Sequence, residues 1–249
     1  MMDYTVFFIE LLFLLVFVVS VAKYQLLDTW GTFVAFLIGA VVLFSTNIRW
    51  FFLLFLFFLL GFLVTRIRFN EKKRRGVLEN GGGMRKAKSV AANGFVPALI
   101  ALFSVSLYPH RLVIPFIAAI AIASSDTFAS EIGVLSTRAY LITNLKPVDA
   151  GTNGGISWLG QFSALAGAVI ISVAAFFVLS IPVYWMGLCI FFGFLGCQID
   201  SLLGATFQGK GRAGTPLPSN AFLLNSDVNL ISISVGALMA FVLTFVVPV

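Results

Sequence analysis

The sequence predicts an all-α, polytopic membrane helical bundle of about eight transmembrane helices, some short or broken, with a polar site at the cytoplasmic face. Three observations predict it. Of 249 residues, 60% are hydrophobic and 10% charged, with a mean hydropathy of +1.04. Apolar runs of about twenty residues recur, the length that crosses a hydrocarbon core roughly 30 Å thick. Only ten Asp and Glu occur, and Asp126, Glu131 and Asp200 fall against or inside apolar runs. A carboxylate at the centre of a membrane helix costs roughly 2.5–3.5 kcal/mol on insertion scales, so each needs a water-filled cavity, a cation or a partner.

In order, the spans are expected at about 4–22, 29–46, 49–65, 93–109, 111–127, 156–180, 182–203 and 229–248. The first three are rich in Phe and Leu, which suits either lipid contact or a slot for an acyl or prenyl chain. Glu10 is their exception, read as snorkelling to the outer interface. Residues 1–22 lack a basic leading segment and read as a retained span. Pro97 and Pro115 interrupt the fourth and fifth spans, which are expected to be short or broken where protein or a cavity covers the freed backbone. The chain reads as one membrane domain, 1–249, with apolar helices over 1–65 and the functional portion over 66–249. No internal repeat supports an inverted-repeat transporter.

Assigning loops 23–28, 66–92, 128–155 and 204–228 to the cytoplasm collects every Lys and Arg except Arg49 and Arg111. The positive-inside rule then places both termini outside. It also brings Asp126, Glu131, Asp149, Asp200 and Asp227 to or near the cytoplasmic face. The net charge of +6 is juxtamembrane, as in Lys72-Lys73-Arg74-Arg75, and fixes topology and attracts anionic lipid; no nucleic-acid partner is expected. Cys189 and Cys197 fall in one span without disulfide or zinc spacing and read as packing. His110 is the only histidine, on the outer side, and no GxSxG or CxxC occurs. Nucleophilic hydrolysis and zinc chemistry are therefore not expected.

Five constellations can carry chemistry. In Asn80-Gly81-Gly82-Gly83-Met84-Arg85-Lys86, with Lys88 and Asn93-Gly94 following, consecutive glycines expose backbone N–H groups for phosphate oxygens and the cations supply counter-charge. It lacks the full GxxxxGK[ST] pattern, and a plain cytoplasmic loop is the alternative. In Ser124-Ser125-Asp126-Thr127-Phe128-Ala129-Ser130-Glu131, the two acids stand about 140° apart on a regular helix. Both can bind one metal only if the helix ends or unwinds; otherwise one serves the metal and the other a basic partner. From Arg138 through Lys146 to Gly151-Thr152-Asn153-Gly154-Gly155-Ile156-Ser157, a basic segment and Gly-rich turn precede a helix that Ser157 or a neighbour can cap. Lys146 precedes Pro147 and so sits on extended backbone. Asp200-Ser201, with Gly204, Thr206 and Gln208, ends the seventh span. Asn225-Ser226-Asp227-Val228-Asn229 precedes the eighth, where Asp227 binds metal or caps the helix.

Carboxylates, Gly-rich turns, cations and Asn are the parts of magnesium-dependent phosphoryl transfer. NGGGMRKAKSVAANG, SSDTFASEIGVLS, LKPVDAGTNGGIS, GCQIDSLLGATFQ and NSDVN, in this order, resemble the transmembrane-protein-19-like family, which includes the plant phytyl-phosphate kinase of vitamin E biosynthesis. The likeness covers residues 66–249; the first three spans match only in hydrophobicity. It implies an NTP-dependent kinase that converts an isoprenoid monophosphate to its diphosphate, and supports Asp126, Glu131, Lys146, Gly151–Gly155, Asp200 and Asn225 as site positions.

The resulting expectation is a prenyl-phosphate kinase using CTP or ATP with Mg²⁺, in a prokaryotic plasma membrane. Asp126, Glu131 and Asp200, with Asp227, are the expected metal ligands, and Lys146 joins the first three as catalytic. Phosphates are expected at Gly81, Gly82, Gly83, Arg85, Lys86, Asn93, Arg138, Gly151, Thr152, Asn153, Gly154, Gly155 and Asn225. The expected partners are an isoprenoid phosphate lipid, a nucleotide and membrane lipids. An ion-coupled transporter and a lipid cytidylyl- or alcohol phosphotransferase are the alternatives, the latter without its DGxxAR…GxxxD…D pattern.

Overall fold

A computed structural model describes residues 4–78, 84–209 and 221–249. Among them, eight long helices answer the eight expected spans: α1 (Tyr4–Lys23), α2 (Thr29–Ser45), α3 (Ile48–Arg66), α5 (Ala87–Ser104), α6 (Pro109–Gly133), α7 (Trp158–Leu179), α8 (Val183–Phe207) and α9 (Asn225–Leu243). A short helix, α4 (Phe69–Arg74), lies between α3 and α5. Six of these, α3 and α5 to α9, are long and apolar enough to cross a bilayer, and α2 is a shorter apolar helix of 17 residues.

The prolines do not break the helices. Pro97 lies inside the 18-residue α5 and Pro115 inside the 25-residue α6. Polar residues explain the shifted boundaries: α5 begins at Ala87 rather than near 93, and α6 continues past 127 to Gly133. Lys88, Ser89, Ser130 and Glu131 mask these turns from a hydropathy reading, although helical periodicity continues through them.

Helix α6 forms the axis of the bundle. Every residue from Ile114 to Ser125 is buried, and α3, α5, α7, α8 and α9 pack around it. Small residues make the approach possible, as in other membrane bundles. A Cβ at Gly196 of α8 or at Gly236 of α9 would meet Ile122 side-chain atoms at 2.5 Å and 2.3 Å. The outer surface is apolar, with Phe33, Phe52, Leu63, Phe162, Phe177 and Leu238 all exposed. Trp30 and Trp158 at one end, and Tyr108 and Tyr184 at the other, are exposed where an aromatic belt meets the two interfaces.

The expected loops gather at one end. Asp28 N–H donates to the Arg85 carbonyl at 3.2 Å, and α4 docks on α6 through Lys72 and Glu131. At the opposite end the Arg111 guanidinium donates to the Thr244 carbonyl, and the Trp185 indole donates to the Pro248 carbonyl at 2.6 Å. Between α6 and α7 the chain forms a three-stranded antiparallel sheet ordered β2-β1-β3: β1 (Ala139–Leu141), β2 (Pro147–Val148) and β3 (Gly155–Ile156). A sequence reading assigns this segment to loop because its strands are only two or three residues long.

Candidate functional site

A cavity of about 530 Å³ opens at the loop end, between α5, α6, α8, α9 and the sheet. Its walls bring together Arg85, Asn93, Asp126, Glu131, Gly151–Gly155, Asp200 and Asn225, residues scattered over five sequence motifs.

Because α6 remains helical to Gly133, Asp126 and Glu131 diverge. Glu131 turns toward α3 and α4: its Oε1 accepts from Thr65 Oγ1 at 3.0 Å and its Oε2 from Lys72 Nζ at 2.6 Å. Lys72 is fully buried and also donates to the Val64 carbonyl at 3.2 Å. Thus a carboxylate expected to ligate metal has a basic partner, as a regular helix requires, and the partner comes from the run Lys72–Arg75 that reads as juxtamembrane charge. The buried pair satisfies two charges that would each be costly alone.

Asp126 turns toward α8 and α9, where it approaches Asp200. The Asn229 amide stands between the two carboxylates. In one amide orientation its nitrogen lies 3.5 Å from Asp126 Oδ2. In the other, which relieves contacts between acceptors, it donates to the Asn225 carbonyl at 2.8 Å and to Asp200 Oδ2 at 3.3 Å. Ser232 Oγ donates to Asp200 Oδ2 at 3.0 Å. The donors hold the buried Asp200 carboxylate by hydrogen bonding. Asn225 accepts from Gln208 Nε2 at 3.3 Å, tying the start of α9 to the end of α8.

The Gly-rich turn forms the facing wall. Thr152 N–H and Oγ1 both donate to the Asp149 carbonyl, and Gly155 N–H donates to the Thr152 carbonyl. Gly151 and Gly154 have φ of +90° and +67°, the left-handed region that glycine enters without penalty. Gly154 is also pressed on α8: a Cβ there would meet Ala205 Cβ at 2.4 Å and the Ser201 carbonyl at 2.5 Å. The turn is therefore seated just after Asp200. Ser157 caps α7 by accepting from Gly160 N–H at 3.1 Å, and both residues line the cavity.

Other expected residues lie elsewhere. Lys146 and Arg138 are exposed outside the cavity walls. Lys146 sits in the β1–β2 turn, with its N–H bonded to Asn144 Oδ1. Lys86 is exposed at the start of α5. Asp227 is outside the walls, and its Oδ2 accepts from Leu224 N–H at 2.9 Å, closing the first turn of α9 as a capping residue. Gly81, Gly82 and Gly83 lie outside the described residues.

Sequence reasoning missed Thr65, Lys72 and Ser232 as site residues, and named Asn229 only as the end of a motif, without a role. Asn229 carries a usable signal, since Asn225 and Asn229 are four residues apart on one helical face. Lys72 carries none, because only the docking of α4 separates it from its exposed neighbours.

Mg²⁺ is commonly bound by one or two carboxylates together with substrate phosphates and waters. The oxygen-rich pair Asp126 and Asp200, with Asn225 and Asn229 beside it, fits that requirement. Among the described residues no group of three or more His, Cys, Asp and Glu side chains forms a metal-holding cluster.

Comparison with known proteins extends the relationship beyond the motifs. An uncharacterized membrane protein of Methanocaldococcus jannaschii is 32% identical over 93% of this chain and 92% of its own length. An uncharacterized membrane protein of Synechocystis is 29% identical over 89% of this chain and 84% of its own. Protein VTE6, chloroplastic, of Arabidopsis thaliana is 28% identical over 84% of this chain and 63% of its own. No solved structure matches the chain. Residues 12–237 match the family described as integral membrane protein DUF92, a span that takes in the second half of α1 and all of α2 and α3 as well as most of the motif-bearing portion. In place of the narrower transmembrane-protein-19-like label, the family shown is this one: the chain belongs to the DUF92 integral membrane proteins.

Proposed function

We propose that this protein is a membrane kinase that transfers a phosphoryl group from CTP or ATP to a prenyl monophosphate at the cytoplasmic leaflet. The observation that carries the reading is one cavity in which Asp126 and Asp200 face a Gly-rich turn, with Arg85 also in its wall. The motif resemblance to a family containing phytyl-phosphate kinase supports the same reading.

In this reading Asp126 and Asp200 would hold Mg²⁺, which when bound supplies charge neutralisation for the nucleotide phosphates. Asn225 and Asn229 orient the carboxylates. Backbone N–H groups of the Gly151–Gly155 turn that are not already bonded within it, and the start of α7, would meet nucleotide phosphates, and Arg85 would meet the acceptor phosphate. An acceptor phosphate oxygen attacks the terminal phosphorus of the nucleotide. The new P–O bond forms as the bond to the bridging oxygen breaks, and the nucleoside diphosphate leaves with that electron pair. The acceptor has a second pKa of about 6 and is already ionised near neutrality, so no general base is needed. Lys72 and Glu131 brace α4 against α6 and position the wall without touching the reacting groups.

Helix α6 carries no polar side chain from Leu112 to Ala123, which favours this reading over an ion-coupled transporter whose acids must be reached from both sides. The test is transfer of labelled phosphate by the purified protein from CTP or ATP, with Mg²⁺, to a panel of prenyl monophosphates. Labelled prenyl diphosphate is expected. Its absence with every nucleotide, or its formation at undiminished rate by Asp126→Ala, overturns the reading. Solute flux into liposomes without phosphoryl transfer would favour a transporter.

A further inference from the structure

A second, apolar cavity of about 60 Å³ lies between α1, α2, α3 and α5, walled by Phe17, Ile38, Phe55, Phe58 and Val90. It shares Arg85, Ser89 and Asn93 with the polar cavity, so the two spaces adjoin at these three residues. The junction carries unmatched polarity. No described residue accepts a hydrogen bond from the half-buried Arg85 guanidinium. Instead it packs on Gly61 of α3, where a Cβ would sit 3.0 Å from Nη2 and 3.1 Å from Cζ. Gly61 is five residues before the end of α3, roughly 7.5 Å along the helix, so the cation is carried below the rim of the bundle. Beside it the buried Asn93 Oδ1 has no hydrogen-bond partner, although buried polar atoms are normally satisfied.

Building on the function proposed above, we infer that this junction binds the acceptor lipid, with its phosphate on Arg85 and the branch of its first isoprenoid unit in the apolar slot. An anion is what an unmatched guanidinium recognises, and a hydrocarbon is what an aromatic slot continuous with it accepts. Asn93 Oδ1 accepts from a water brought in with the headgroup. Size then limits what the slot reads. A dry cavity of roughly 150 Å³ holds one benzene ring, so this smaller one takes only part of a branched five-carbon unit, the branch itself, and leaves the rest against the wall. Phe17, Leu54, Phe55 and Phe58 are only half-buried, so the wall reaches the apolar perimeter and the remaining tail passes into the bilayer. The enzyme therefore reads the phosphate and the branch nearest to it, and tolerates different total tail lengths.

The full-length protein in phosphatidylcholine nanodiscs tests this without nucleotide. A prenyl monophosphate carrying a photoreactive group on its first isoprenoid unit is expected to crosslink to Phe55, Phe58 or Val90. At equal mole fraction in the bilayer, geranyl, farnesyl and geranylgeranyl phosphates should compete within about threefold of one another, each extra unit staying in lipid as apolar as itself. Arg85→Gln should weaken binding about tenfold or more, with Arg85→Lys between it and the natural protein. Should Arg85→Gln fail to fold, Gly61→Ala displaces the guanidinium while keeping its charge, and the same weakening is expected. Crosslinks confined to other helices, affinity that climbs severalfold with every added unit, or unchanged binding by Arg85→Gln would overturn the slot. Slot crosslinks without transfer from any nucleotide overturn the kinase reading and leave the lipid site standing. Transfer with crosslinks elsewhere does the reverse.

Discussion

Lys72 Nζ lies 2.6 Å from Glu131 Oε2, with both side chains buried and joining α4 to the last turns of α6. Removing one partner strands the other charge in a low-dielectric interior, which costs roughly 3–5 kcal/mol, whereas replacing the pair with apolar residues of similar volume is often neutral. Lys72→Met and Glu131→Leu are each expected to lower the thermal midpoint in detergent markedly, and the double variant to recover most of the loss. A double variant that shows the sum of the two losses would mean that the residues act independently.

Asp126 and Asp200 are expected to be far more sensitive in activity than in stability. Asp126→Asn and Asp200→Asn keep shape and remove charge, so each should reduce phosphoryl transfer by at least about 100-fold, the range lost when one preorganised electrostatic group is removed. Titration of Mg²⁺ with nucleotide present should show the same variants binding the metal more weakly. Full activity with normal metal affinity would remove these carboxylates from the centre of the chemistry.

Asp227 provides the contrast. As a capping residue of α9, its replacement in Asp227→Ala should cost about 1 kcal/mol of stability and leave transfer within a few-fold of the natural protein. An activity loss as large as that expected for Asp200→Asn would assign it to the metal instead.

Gly154→Ala tests the seating of the Gly-rich turn. The added Cβ would meet Ser201 O at 2.5 Å, and φ is +67°, so backbone strain of roughly 1–3 kcal/mol is expected from the conformation alone. The turn should lift from α8 and activity fall with stability. Gly204→Ala approaches the same contact from α8, with its nearest neighbour, Gly154 N, at 3.1 Å, and should be milder in both readouts. An equal or greater loss from Gly204→Ala would contradict the seating described.

Much of the bundle was legible because apolar runs of membrane length announce themselves residue by residue, and the eight expected spans correspond to eight helices. Boundaries failed where polar side chains begin or end the helices, at the exposed Lys88 and the cavity-lining Ser89 on α5 and at Ser130 and Glu131, also in the cavity wall, on α6. The β1–β3 sheet was illegible because a two-residue strand has no periodicity of its own; only pairing through Tyr140 to Pro147 and Ile156 defines it.

The sequence by itself determined a membrane chain with stranded acids near one face, and it showed that Asp126 and Glu131 would part on a regular helix while leaving open whether the helix ends or unwinds there. Only the tertiary structure decided which way each points. Burial drives a charge such as Glu131 to a partner on another helix, and neither the choice of Lys72 nor the place of Asn229 between Asp126 and Asp200 can be read from positions so distant in the chain. The same holds for Arg85, whose residue type was legible as a phosphate ligand but whose place on Gly61, between a polar and an apolar cavity, exists only once α3 and α5 lie against the bundle.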